Sequence, residues 1–147
     1  MMIVNFGFFS PVNFDRLKAA LRHRLKAWFF MLSLKNSPTL AEGMLMITLQ
    51  EPGLLYMDCI EVAPHNYGAN GKYDLVAGCL LAYGCKLSQE LGRGPYKGYL
   101  SFESKTVLID LYQEKYGATW AMGQRMYFDP EAGSRLMATY FKNQKKE

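Results

Sequence analysis

Between Val62-Ala63-Pro64 and Leu91-Gly92 an apolar strand ends at a proline, a glycine-rich turn follows, and a long helix opens. Gly68, Gly71 and Lys72 lie in the turn, and Val76-Ala77-Gly78-Cys79-Leu80-Leu81 begins the helix. A strand that feeds a helix through a turn of little bulk commits the chain to layers of helix on sheet. It also leaves backbone N–H groups free to approach an anion at the positive end of the helix dipole. The phosphates of a nucleotide-derived cofactor suit that geometry.

The remaining elements are read around this unit. Met2 to Phe9 is an apolar candidate for an edge strand. Asn13 can cap a helix from Phe14 to Ala27, with Leu17, Ala20, Leu21 and Leu25 on one stripe. Trp28–Leu34 reads as a strand, Asn36-Ser37-Pro38 as a turn, and Met44–Leu49 as a second strand. Glu51-Pro52-Gly53 turns the chain into a third strand, Leu54–Val62, completing an antiparallel meander.

The helix runs from Tyr73 to Leu91. Its apolar residues nearly encircle it, so it is expected to lie on a sheet and be partly covered. Gly98–Phe102 is a further strand. Ser104 is read as the cap of a helix from Lys105 to Tyr116, which Gly117 closes. Thr119–Phe128 reads as a last strand, and Pro130 opens a terminal helix. The order β-α-β-β-β-α-β-α-β-α indicates an α/β layer fold with a mixed sheet, expected as one domain over 1–147.

Composition excludes several functions. Half of the 147 residues are hydrophobic and a fifth charged, as in ordinary globular chains. Three cysteines (Cys59, Cys79 and Cys85) form no C-x-x-C pair, so a disulfide framework is not expected and a reducing compartment fits. With only His23 and His65 available, no metal site is expected. The apolar run from Trp28 to Leu34 is too short to span a bilayer, and the first residues lack a basic signal-peptide region. A cytoplasmic location is therefore expected. Net charge is +4, partly from the last six residues; a short basic tail reads as a solvated helix end, argues little for nucleic acid and suits an anionic cofactor equally well.

Three segments then resemble the GNAT superfamily of N-acetyltransferases, over roughly residues 28–128. Ile60-Glu61-Val62-Ala63-Pro64 is similar to the family's central strand, which ends hydrophobic-x-Val-x-Pro. Lys72-Tyr73-Asp74-Leu75-Val76-Ala77, followed by Gly78-Cys79-Leu80-Leu81, is similar to its pyrophosphate loop, R/Q-x-x-G-x-G/A, and the helix after it. Ile109 to Ala118 resembles its LYxxxGF signature, with Tyr112 in the tyrosine position.

The resemblance implies an acyl-CoA N-acyltransferase-like fold, with a mixed, mostly antiparallel twisted sheet flanked by helices. It implies acetyl-CoA as cofactor and acetyl transfer to an amine by direct attack. Ile60 and Val62 would hydrogen-bond the pantetheine arm through a strand that splays from its neighbour. The amides of Tyr73, Asp74, Leu75, Val76, Ala77 and Gly78 would hold the pyrophosphate, with Lys72 in the basic position. Lys105 stands where an asparagine often contacts the cofactor. Leu75 replaces a glycine and is compatible only with negative φ and a side chain turned away from the phosphates.

Tyr112 is the expected acid that protonates the departing thiolate, with Tyr116 as competitor. Read alone, Tyr112 would be a buried helix aromatic. Glu61 is the expected general base, with Asp58 the alternative on the other strand face; each is equally readable as an exposed or paired strand carboxylate. His65 and Asn66 are better read as turn formers, and the cysteines as small core residues. The acceptor is a small-molecule or peptide amine of open identity, and a homodimer is also open. A fold that binds CoA without efficient catalysis, and a toxin-like enzyme acting on aminoacyl-tRNA, are the alternatives carried forward.

Overall fold

The computed structural model describes residues 2–6, 26–68 and 71–141. Four strands form an antiparallel meander: β1 (Met2–Phe6), β2 (Lys26–Leu34), β3 (Ser37–Gln50) and β4 (Leu54–Val62). Helix α1 (Tyr73–Leu91) crosses over to β5 (Leu100–Glu103), which pairs parallel with β4. A 3-10 turn (Thr106–Leu108), one α turn (α2, Ile109–Leu111) and a π turn (Tyr112–Tyr116) follow without a break. Strands β6 (Thr119–Met122) and β7 (Arg125–Phe128) and helix α3 (Pro130–Tyr140) complete the chain. The sheet has seven strands in the order β1-β2-β3-β4-β5-β7-β6.

This is the expected mixed, mostly antiparallel α/β sheet, and Tyr73–Leu91 is helical over the expected range. The encircling apolar pattern of α1 has a direct cause. One side packs Val76, Leu80 and Leu81 on Leu45, Ile47, Leu55, Leu100 and Phe102 of the sheet, and α3 covers the other. Every residue from Val76 to Cys85 is buried in consequence. Small residues permit the approach. A Cβ on Gly43 of β3 would stand 2.8 Å from both Val76 and Leu80, and one on Gly78 would enter the ring of Tyr140 from α3. Asp129 caps α3 by accepting the amide of Ala132 at 2.8 Å, ahead of Pro130 in the first turn.

The structure corrects four sequence expectations. Thr119–Phe128 is two strands joined at Gly123, whose φ of 56° turns the chain back on itself. Apolar residues on both sides of that glycine conceal the hairpin. Ser104 does not cap the next helical segment; its hydroxyl donates to the carbonyl of Lys105 at 2.9 Å, and the single expected helix is the composite of 3-10, α and π turns. The Asn36-Ser37-Pro38 turn tightens to Lys35-Asn36, with Ser37 already in β3. The helix expected from Phe14 lies outside the described residues, except that Lys26 and Ala27 open β2 instead.

Candidate functional site

The site begins with a defect in strand pairing. Met46 pairs with Cys59 while the next residue, Ile47, pairs with Met57, so β4 carries one extra residue, Asp58. Bulges of this kind bend a strand and raise its twist. Asp58 is held by the Thr48 hydroxyl, which donates to its carboxylate at 2.8 Å. On the other side of β4, parallel pairing with β5 spans Leu55–Met57 against Leu100–Phe102 and goes no further. Beyond that register β4 runs on to Val62, and Ile60–Val62 have no β5 residue opposite them. A fork therefore opens between β4 and β5 at their carboxyl ends, where open α/β sheets bind ligands.

The sequence-derived residues are distributed around this fork. Ile60 is half-buried and packs against the core, and Val62 is buried, both on the α1 side of the free stretch. Glu61 is exposed and points the other way, with the Cys59 thiol 3.7 Å from its carboxylate. Tyr112 approaches from the α1 side, its ring 5.0 Å from that of Phe102 at the end of β5. Burial, and after it the neighbouring Tyr73 hydroxyl, push the Tyr112 phenol above its ordinary pKa, so it stays protonated. Lys105 is exposed just beyond β5.

At the end of the free stretch, Pro64–Asn66 makes one 3-10 turn, and the chain returns through Gly68 and Gly71 to α1. Lys72 occupies the N-cap position and supplies no side-chain cap. Its carbonyl accepts the amide of Val76, so the unbonded helix amides are those of Tyr73, Asp74 and Leu75. This narrows the expected cradle. Val76, Ala77 and Gly78 are buried in the helix body, while Leu75 is helical and exposed, its side chain outside the core. Tyr67 and Tyr73 stand together at the rim, with ring centroids 5.4 Å apart.

Two interactions here have no sequence signal. Glu42 of β3 is buried, and its carboxylate lies 2.6 Å from His65 Nε2 and accepts from Asn66 Nδ2 at 2.9 Å. Asn66 also donates to the Glu42 carbonyl, which accepts the Ala63 amide as well. Burial alone raises the Glu42 pKa. The hydrogen bonds from Asn66 and His65, with the charges of His65 and Lys72, outweigh it and hold the carboxyl below its ordinary value. His65 and Asn66 thus clamp the turn to β3, which goes beyond forming it. The second interaction is an ion pair between Lys115, in the π turn, and Asp74, in the first turn of α1.

Chemically, the fork offers the backbone of Ile60 and Val62 with no β5 residue opposite, a protonated phenol at its apex and the first amides of a helix at its outer end. Among the described residues no cluster of side chains could hold a metal ion, and no helix is long and apolar enough to cross a membrane.

In sequence, no protein-family model and no curated protein matches the chain. In structure, an acetyltransferase from Bacillus subtilis in complex with CoA is similar with a TM-score of 0.59, at 11% identity over 88% of this chain and 99% of that one. A mutant of the toxin AtaT bound to the C-terminus of the antitoxin AtaR gives a TM-score of 0.60, at 10% identity over 92% of this chain and 97% of that one. A chain of the KacTA–DNA complex gives 0.57, at 11% identity over 95% and 99%.

Proposed function

We propose that this chain, which has the fold of the GNAT acetyltransferases, is a single acetyltransferase domain that moves an acetyl group from acetyl-CoA to an amine. The observation that carries this reading is the fork: β4 parts from β5 at Met57, and Tyr112 stands at the parting. The extended backbone of Ile60–Val62 suits a pantetheine arm, as an added strand suits a sheet edge. The free amides of Tyr73, Asp74 and Leu75 suit the pyrophosphate. Leu75 is helical and exposed, which suits the negative φ that a residue other than glycine needs there.

The residues divide the work of a direct transfer. Backbone groups of β4 and the α1 amides fix the thioester, so the amine meets it at high effective concentration. Glu61, exposed within this part of β4, takes the proton that the attacking ammonium must lose. As the new C–N bond forms and the C–S bond breaks, Tyr112 gives its proton to the departing thiolate. A strand amide such as that of Val62 polarises the carbonyl.

The second reading is a toxin-like enzyme whose amine belongs to an aminoacyl-tRNA; a similarity in fold to the toxin AtaT is what keeps a toxin-like role in view. The third, a CoA-binding module with little catalysis, is separated from the first by release of free thiol. Titration of acetyl-CoA followed by thiol release across an amine panel tests all three. No binding ends all three readings, and binding without release favours the third. Acetylation confined to charged tRNA selects the second. Tyr112→Phe is expected to lower turnover about 100-fold or more while CoA affinity changes little; unchanged turnover removes Tyr112 as the acid.

A further inference from the structure

Where β4 leaves β5, its carboxyl end is held from one side: Ile60–Val62 have β3 alongside and no β5 residue opposite. The β3–β4 pairing stops at Gly43 opposite Val62, and one more main-chain bond follows, from the Ala63 amide to the Glu42 carbonyl at 2.9 Å. Among the described residues, every hydrogen bond that ties the next turn to β3 ends on Glu42. Asn66 Nδ2 donates to its carbonyl at 3.1 Å and to its carboxylate at 2.9 Å, and His65 Nε2 lies 2.6 Å from the same carboxylate oxygen. Asn66 is buried, and on its far side the returning chain presses against it. A Cβ on Gly71 would overlap the Asn66 carbonyl. Two residues after Gly71, α1 begins. Asn66 therefore touches β3 on one side and the entry to α1 on the other.

A carboxylate is costly to bury, because it must give up its water. An apolar side chain would fill the Glu42 position without that cost, but it would leave the buried Asn66 amide without its carboxylate partner. What the carboxylate adds is direction, since only one placement of the turn satisfies all its bonds at once. From these bonds and the close passage of Gly71 we infer that Glu42 is a positioning residue of the transfer site. Acting through Asn66 and His65, it fixes the Ile60–Val62 backbone and the first turn of α1 relative to each other before any ligand arrives. A ligand that spans both then loses less conformational freedom on binding. The identity of that ligand rests on the acetyl-CoA reading; the ordering of the turn does not.

Calorimetric titration of CoA and amide hydrogen exchange, on wild type, Glu42→Ala, Glu42→Gln, Asn66→Ala and the Glu42→Ala/Asn66→Ala double variant, test the inference. Glu42→Ala and Asn66→Ala are each expected to weaken CoA about tenfold. The double variant should bind about as well as the weaker single one, because both changes cut the same link. Glu42→Gln, whose side-chain oxygen still accepts from Asn66, should stay within about threefold of wild type. In Glu42→Ala the amides of Asn66, Gly71 and Val76, bonded to the carbonyls of Ala63, Gly68 and Lys72, should lose protection, while those of Leu45 and Ile47 within β3 keep it. Unchanged CoA affinity in Glu42→Ala, an equal loss in Glu42→Gln, or additive losses in the double variant overturn the inference. If wild type does not bind CoA, the acetyl-CoA reading falls and the exchange pattern decides alone: loss of protection confined to the turn and the α1 entry upholds the role of Glu42, and equal protection in wild type and Glu42→Ala removes it. Should Glu42→Ala unfold, His65→Ala, at a half-exposed position, takes its place. CoA weakened about threefold there supports the inference, and unchanged affinity overturns it.

Discussion

Gly43 decides how closely α1 can lie on the sheet. A methyl group there would meet Val76 and Leu80 at 2.8 Å and the backbone carbonyl of Glu61 at 2.9 Å. The carbonyl belongs to the free stretch of β4 and cannot swing aside as a side chain can. Gly43→Ala is therefore expected to cost about 1–3 kcal/mol, the usual penalty of overpacking, and to lift the first turn of α1 from the fork. Urea unfolding with a parallel CoA titration checks both effects. Stability lost with affinity intact would show that helix placement and ligand seat are independent. The residue-level reading of the sequence was uneven for a physical reason. Val62-Ala63-Pro64 and Tyr112 sit in local patterns whose spacing carries information. The partners of Glu42 lie 23 and 24 residues away, so nothing near Glu42 distinguishes it from a surface carboxylate.

The π turn is the element with the clearest bearing on function. Four residues separate Tyr112 from Gly117, one more than the LYxxxGF spacing allows. The structure absorbs the extra residue between Tyr112 and Tyr116, with the amides of Gly117 and Ala118 both directed to the Tyr112 carbonyl and Gly117 left-handed at φ 80°. Such bulges arise when one residue is inserted into an α-helix, and they gather at functional sites. Deleting Gln113 should convert the π turn to an α turn and rotate Tyr112 by about one residue's step of the helix, roughly 100°. Turnover is expected to fall about 100-fold or more with a modest change in melting temperature. Retained turnover would mean that Tyr112 is not held in place by the bulge. The sequence showed that a helical segment ends at Gly117, because a glycine stop is local. It did not show the kind of turn, because 3-10, α and π turns share nearly the same apolar stripe. The β6–β7 hairpin stayed hidden for a related reason: Gly123 is the sole turn signal in a run that otherwise reads as one strand.

For the molecule as a whole, the sandwiching of α1 between the sheet and α3 ties stability to proton uptake at alkaline pH. Burial pushes the Cys79 thiol up to about 11 from 9.0. Burial, helped by Asp129, pushes Cys85 up to about 12. The Tyr83 and Tyr116 phenols are raised as well, again chiefly by burial. In every case the folded pKa lies above the unfolded one, so the native state binds more protons once the unfolded groups begin to ionise. Stability is then complete below about pH 9 and falls as pH rises through the window from 9 toward 11–12. Each thiol contributes a slope approaching about 1.4 kcal/mol per pH unit within it. Urea midpoints at pH 7, 8.5 and 10 should fall only in the last interval. Cys85→Ala keeps the Cβ that meets Gly133 of α3 and removes the ionising sulfur. Its stability is expected to be lower at neutral pH but flatter with alkalinity. A wild-type profile that is already flat to pH 10 would mean that the α1–α3 contact opens before the chain unfolds, because only solvent-exposed thiols titrate without cost to the fold.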